Sequence, residues 1–183
     1  MQEDRPLICV FCGSRPGGHP DYVADAEALG EGLARAGMGV VYGGASIGLM
    51  TAVADATLRA GGPVVGVVPG FLATVEIAHT GLTEQHIVET MHARKALMAE
   101  RAAAFVALPG GYGTLDELCE ILTWRQLRLH PKPIFLLNTR GYFNALLAMC
   151  DHMVAEGFLS AEHRALIQLC ETPEALIARL AEA

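Results

Sequence analysis

The sequence lacks several things that would place it in a familiar functional class. It contains no apolar run of about 18 residues, the length a membrane-spanning helix needs. Its first residues, "MQEDRPLICVFCGS", lack the basic region and long apolar stretch of a secretory leader, so the expected location is cytoplasmic. Basic residues are in deficit: 13 Lys and Arg stand against 20 Asp and Glu, a net charge of −7. That balance argues against nucleic acid or an anionic membrane as a partner, while leaving room for a local basic pocket. There is no linker, internal repeat or low-complexity segment. No His-Glu-x-x-His pattern occurs, and the Cys9-x-x-Cys12 pair has no second pair to complete a zinc site, so no metal is expected. The five cysteines are an odd count without framework spacing. Cys9 and Cys12 lie in the apolar run "LICVFCG", and residues three apart on a strand face opposite ways, so they read as buried thiols rather than a site.

What remains is a globular composition, 52% hydrophobic and 18% charged, over 183 residues, enough for one domain (1–183) with its own core. Apolar β-like runs at 7–12, 39–42, 64–68, 105–108 and 134–137 alternate with helical patterns at 21–36, 47–60, 91–103, 114–128 and 142–156. A weaker strand at 165–169 precedes a short helix capped at Thr172-Pro173. The strands are apolar throughout, as strands covered on both faces are, and the alternation predicts βαβ units. The expected fold is α/β: a Rossmann-like open parallel sheet with helices on both faces. The longest irregular stretch, 69–90, is a candidate functional loop.

Three of the predicted strands run into glycine-rich turns: "CGSRPGG" with Gly13 and Ser14, "YGGASIGLM" with Gly43 and Gly44, and "LPGGYGTLDELCEILTW" with Gly110 and Gly111. In an open parallel sheet ligands bind beyond the carboxyl ends of the strands, where these turns fall. Glycine lets backbone N–H groups approach an anion, and the following helix N-terminus adds partial positive charge. Tight turns need glycine for their own sake, but three in corresponding positions point to a phosphate-bearing ligand. Two nucleotide motifs are excluded. Neither lysine, Lys95 or Lys132, follows the glycines as a P-loop requires, and the second strand ends in Tyr42-Gly43-Gly44 without the acid that holds a dinucleotide ribose.

On a helical wheel the segment after Gly113 places Leu115, Leu118, Cys119 and Leu122 on an expected core face. Glu117, Glu120 and Trp124 fall on the other side, above the glycines. An acid in a first turn also suits the helix dipole, and a solvated acid fits the spacing equally. In "ETMHARKALMAERA", Arg94 falls inside an apolar stripe of Met91, Leu97 and Met98, with Arg101 on the same side. Such a guanidinium either snorkels to water or meets a buried anion.

"PGGYGTLDE" together with "MHARKA" upstream resembles the Lonely Guy family of cytokinin riboside 5′-monophosphate phosphoribohydrolases. "CGSRPG", "YGGASIGLM", "GVVPGFL", "HTGLTEQHIVETMHARKALM" and "TWRQLRLHPKPIFLLN" extend the resemblance, in order, over most of the chain. It implies a Rossmann-like fold assembled as a homodimer, a small-molecule nucleotide substrate, no cofactor, and cleavage of the N-glycosidic bond of nucleoside 5′-monophosphates. It also implies roles for residues. Arg94 and Glu117 resemble the catalytic pair. Glu76, Lys95, Thr123 and the run 111–117 (Gly111, Tyr112, Gly113, Thr114, Leu115, Asp116 and Glu117) resemble the substrate-contacting set, with Glu120 as a second candidate acid on the same face. Members have also been labelled lysine decarboxylases, which the sequence does not support: a pyridoxal enzyme needs a Schiff-base lysine with partners for the ring, and only Lys95 is near the motifs. A non-catalytic nucleotide carrier or sensor of the same fold is the alternative reading.

Overall fold

The computed structural model describes residues 5–73 and 78–182. Seven parallel strands form one sheet in the order β4-β3-β2-β1-β5-β6-β7. They are β1 (Leu7–Phe11), β2 (Gly39–Tyr42), β3 (Val64–Pro69), β4 (Glu84–Val88), β5 (Ala102–Ala107), β6 (Ile134–Leu137) and β7 (Ile167–Cys170). The helices are α1 (Pro20–Arg35), α2 (Gly48–Arg59), α3 (Gly70–Ala73), α4 (Met91–Arg101), α5 (Tyr112–Gln126), α6 (Asn144–Ala155), α7 (Ala161–Arg164) and α8 (Pro173–Ala181). No helix among the described residues is long and apolar enough to cross a membrane.

Alternation along the central strands divides the core in two. Ile8, Val10, Val40, Val106 and Phe135 pack with Leu29 and Leu33 of α1, Val53 of α2 and Leu176 of α8. Their neighbours Cys9, Phe11, Val41, Phe105 and Ile134 pack on the other face with Met98 of α4, Leu118 and Ile121 of α5 and Cys150 of α6. Both faces are thus covered, which is why these strands read as unbroken apolar runs. Cys9 and Cys12 belong to opposite faces and are free, buried thiols.

Four elements depart from the sequence reading, the first being the one-turn α3, inside the stretch 69–90 expected to be irregular. β4 lies in the stretch expected to be irregular. Its sequence, Glu-Gln-His-Ile-Val, has no apolar run because it is the edge strand and alternates between half-buried and exposed residues. Its outer end is fastened from α4, where Arg101 donates to both carboxylate oxygens of Glu84 at 3.1 and 2.7 Å. Arg101 therefore ties down a sheet edge. β5 begins at Ala102, inside the expected helix, because Ala102 and Ala104 pair with Leu7 and Ile8; tertiary pairing overrides the helix preference of three alanines. The short α7 carried no periodic signal long enough to read.

α1 and α2 cross at Gly30, where an added Cβ would lie 2.4 Å from the Val53 carbonyl oxygen and 2.9 Å from Thr57 Oγ1. Helix propensity favours Gly→Ala by about 1 kcal/mol, but overpacking against backbone costs roughly 1–3 kcal/mol. Gly30→Ala is therefore expected to be net destabilising. A denaturant midpoint equal to or above wild type would show that the crossing has room to yield.

Candidate functional site

Strand order reverses about β1, which has β2 on one side and β5 on the other, so the carboxyl ends of β1 and β5 flank a topological switch point. The two turns that leave it touch backbone to backbone. Gly13 N–H donates to the Pro109 carbonyl at 3.0 Å, and the N–H of Leu49 donates to Gly13 O at 3.0 Å. A Cβ on Gly110 would stand 2.0 Å from Thr114 Oγ1 and 2.8 Å from Gly13 N, so only glycine fits. The cavity beside them, about 530 Å³, is lined by Gly13, Ser14, Gly110, Gly111 and Tyr112 among the residues expected from sequence. Gly111 caps α5 with extended backbone, which turns the first N–H groups and the positive end of that helix towards the turn. Arg15, inside the "CGSRPGG" turn, also lines the cavity, as do Tyr22 and Tyr142, which carried no signal in the sequence. Tyr142 comes from the far side of β6, and its hydroxyl donates to the Gly110 carbonyl. No local pattern connects these residues; only the fold does.

Arg94 and Glu117 are not in that lining. They meet on the face of the sheet covered by α4 and α5. Nη1 of Arg94 is 3.3 Å from Glu117 Oε1, and the two side chains are 12% and 11% exposed. Nε of Arg94 donates to the Val67 carbonyl on β3 at 3.1 Å. A Cβ on Gly43 would lie 1.8 Å from Arg94 Nη2, so the space for the guanidinium is the missing side chain of that glycine. Gly43 thus seats Arg94 rather than lining the cavity. Gly44, at φ +74°, turns the chain and accepts a hydrogen bond from His79 N–H at 3.0 Å. His79 in turn holds Asp55 at 2.8 Å and takes the Gly81 N–H, fixing the chain just after residues 74–77. Glu76 lies outside the described residues. Burial pushes the Glu117 carboxyl up from 4.5 to about 7, with Arg94 pulling it down and Asp116 and Glu120 adding to the rise.

The wheel drawn from the sequence is rotated. The buried side of α5 carries Thr114, Glu117, Leu118 and Ile121. Leu115 is only half-buried and Cys119 is exposed, which corrects the expected core face by about a quarter turn. Hydrophobicity alone picked the most apolar arc. The sheet selects a different one: α5 starts on the glycine turn, Thr114 fills the space beside Gly110, and Glu117 meets Arg94. Glu117 is accordingly a buried acid, and Trp124 is half-buried against the α5 side of the core rather than exposed. Lys95 is buried and bridges Asp116 and Glu120, each at 3.1 Å. These three form a second ion cluster beside the Arg94–Glu117 pair. Gly113 is exposed. Thr123 stands apart, exposed, its hydroxyl donating to Cys119 O on its own helix. Among the described residues, no group of three or more His, Cys, Asp or Glu side chains is placed to hold a metal ion.

Residues 50–180 match the family described as "Possible lysine decarboxylase". Over 174 residues, 94% of this chain and 88% of the relative, the sequence is 48% identical to the cytokinin riboside 5′-monophosphate phosphoribohydrolase of Rhodococcoides fascians. It is 49% identical to a probable enzyme of the same name from Oryza sativa subsp. japonica, over 96% of this chain and 71% of the relative. The chain belongs to this phosphoribohydrolase family. The decarboxylase description of the matched family fits the side chains poorly, since Lys95 is held between two carboxylates and Lys132 Nζ donates to the carbonyls of Ala99 and Glu100. The fold is shared more widely: the molybdenum cofactor carrier protein of Chlamydomonas reinhardtii superposes with a TM-score of 0.74 at 22% identity, covering 97% of both chains.

The environment of Glu117 sets a pH dependence. Between pH 4.5 and about 7 the folded chain holds a proton that the unfolded chain has released, so stability falls as pH rises through that window. At roughly 1.4 kcal/mol per pKa unit, the loss is on the order of 3 kcal/mol. Glu117→Gln cannot titrate and escapes it. Denaturant unfolding at pH 4 and pH 8 is expected to show wild type losing about that much relative to the variant. A difference that does not change with pH would mean that the carboxyl is solvated.

Proposed function

We propose that this chain hydrolyses the N-glycosidic bond of nucleoside 5′-monophosphates, cytokinin ribotides such as isopentenyl-AMP and also AMP, releasing free base and ribose 5-phosphate. The observation that carries the reading is the buried Arg94–Glu117 pair, one helical turn beyond a glycine turn at the switch point. The names of the relatives support the same reaction class. The turn at Gly110 and Gly111, the N-terminus of α5 and the hydroxyl of Thr114 bind the 5′-phosphate, with Gly13 and Ser14 opposite. The run from Tyr112 through Leu115 places the ribose over Glu117. As the C1′–N bond breaks, its electrons go to the base and positive charge develops on the sugar, as in glycoside hydrolysis. The Glu117 carboxylate stabilises that charge, orients a water for attack on C1′ and takes its proton; that proton then passes to the departing base, so the hydroxyl stays on the ribose and Glu117 returns to its carboxylate. A carboxyl near 7 suits a group that must give and accept protons near neutral pH. Arg94 fixes the orientation of Glu117 and keeps part of its population ionised. Lys95, Asp116 and Glu120 set the local field, and Glu76 and Thr123 contact the distal parts of the substrate. A pure carrier has no use for an acid whose burial costs stability.

The chain is also proposed to act as a homodimer in the cytoplasm. Five free cysteines, four of them buried, suit a reducing compartment. Half-buried Leu115 and Leu122 with exposed Cys119 give α5 an apolar outer side beside the site. A second copy covering that side brings Thr123 into a shared active site. Light scattering is expected to give twice the 19.4 kDa chain mass; a fully active monomer at micromolar concentration contradicts the dimer.

Base release followed by chromatography tests the reaction. AMP is expected to be cleaved on the order of 10²-fold faster than adenosine, because phosphate binding positions the ribose. Glu117→Gln should lower kcat roughly 10²–10⁴-fold with little change in KM. Glu120→Gln should lower it about tenfold or less, since Glu120 acts through Lys95. Equal rates on AMP and adenosine would remove the phosphate anchor, and near wild-type turnover in Glu117→Gln would remove the carboxylate mechanism.

A further inference from the structure

A second cavity, about 380 Å³, lies at the opposite edge of the sheet and has no part in the chemistry above. Its walls come from the segment that leaves α5 and enters β6 (Arg125, Gln126, Arg128, His130) and from the segment that precedes β7 (Glu162, His163, Leu166). Both segments feed the amino ends of parallel strands, whereas the substrate cavity sits at their carboxyl ends. In a chain of net charge −7, two guanidinium groups and two imidazoles face this one space, against a single carboxylate, Glu162, on its rim.

The basic groups divide by availability. His130 is a wall: Nε2 donates to Ile121 O at 3.1 Å, and Nδ1 accepts from Lys132 N–H at 3.2 Å, so both ring nitrogens are occupied. Arg125 uses Nη1 on the His130 carbonyl at 3.1 Å, which holds its guanidinium in place and leaves its other N–H groups to point elsewhere. Among the described residues neither Arg125 nor Arg128 pairs with a carboxylate.

Arg128 adds an independent observation. It ends α5 in the left-handed region, φ +60°, where Leu127 N–H bonds Thr123 O and Leu129 N–H bonds Trp124 O, each at 2.9 Å. Glycine is the usual occupant of such a helix end, because any side chain there is strained. The chain accepts that strain at a position whose side chain lines the cavity.

We propose that this cavity is a binding site for a small phosphate-bearing anion, held between the guanidinium groups of Arg125 and Arg128. Two planar forks on separate residues need an acceptor with oxygens in more than two directions, which a tetrahedral phosphoryl group supplies and a planar carboxylate does not. The His163 ring is the third donor. Glu162 opposes binding and sets an upper limit on affinity. The site stands whether or not the substrate cavity performs the reaction proposed for it.

Calorimetric titration of inorganic phosphate into the full chain, at ionic strength fixed with chloride, tests the site. Phosphate entering the substrate cavity is common to all variants, so the differences among them report the second cavity. Arg128→Gly is expected to weaken the second-site affinity tenfold or more while raising the melting temperature by roughly 2–4 °C without phosphate, because the strained position is relieved. Glu162→Gln is expected to tighten binding about two- to fivefold by removing the opposing charge. Ribose 5-phosphate also enters the substrate cavity, so it is read as the difference between wild type and Arg128→Gly: a second-site affinity tenfold tighter than for phosphate assigns a phosphomonoester, and an equal or weaker one assigns the free ion. Wild type and Arg128→Gly titrating alike, or acetate displacing phosphate at equal concentration, would overturn the proposal.

Discussion

The buried pair of Arg94 and Glu117 is the constraint around which the carboxyl edge of the sheet is arranged. Removing two charged groups from water is costly unless their remaining hydrogen-bonding capacity is met, and breaking such a pair by deleting one partner typically costs about 3–5 kcal/mol. The surrounding structure meets that requirement piece by piece. Val67 offers its carbonyl to the guanidinium, and Gly43 gives up the volume the guanidinium fills. α5 begins directly on the 109–111 turn, so its third and sixth residues, Thr114 and Glu117, fall on its buried side. Even so the compensation is partial, because burial outweighs Arg94 and leaves Glu117 at about 7. A fully neutralised acid would be inert; an under-compensated one is poised to change protonation near neutral pH.

The glycines do three different jobs that look alike in sequence. Gly13 and Gly110 allow two backbones to touch at the switch point, Gly43 makes room for a side chain from α4, and Gly44 adopts a positive φ to turn towards His79. Only the first pair faces the cavity. The same economy governs α5. Its amino end supplies N–H groups and the buried acid to one edge of the sheet, and its carboxyl end supplies Arg125 and Arg128 to the other, so one helix serves two cavities separated by its length.

How much was legible in the sequence depended on the range of the signal. The sheet was legible because strands buried on both faces are apolar throughout, a local property, and β4 escaped because an edge strand has no such run. Arg94 could be picked out because a guanidinium inside an apolar stripe is locally inconsistent. The burial of Glu117 could not, since a helical wheel ranks faces by hydrophobicity while the orientation of α5 follows from where β5 ends. Tyr22 of α1 and Tyr142 of the turn before α6 reach the cavity from segments distant in sequence, and Lys95 closes on Asp116 and Glu120 across two helices.

The sequence by itself determined the parallel α/β architecture, the glycine turns at the strand ends and the family, because periodicity, turn chemistry and motif order are written within windows of a few residues. The tertiary structure alone decided which charges are paired, which acid is dry and which glycine serves which purpose. Those properties depend on distances between segments such as α4 and α5, and burial sets the cost of a charge only after the chain has closed around it.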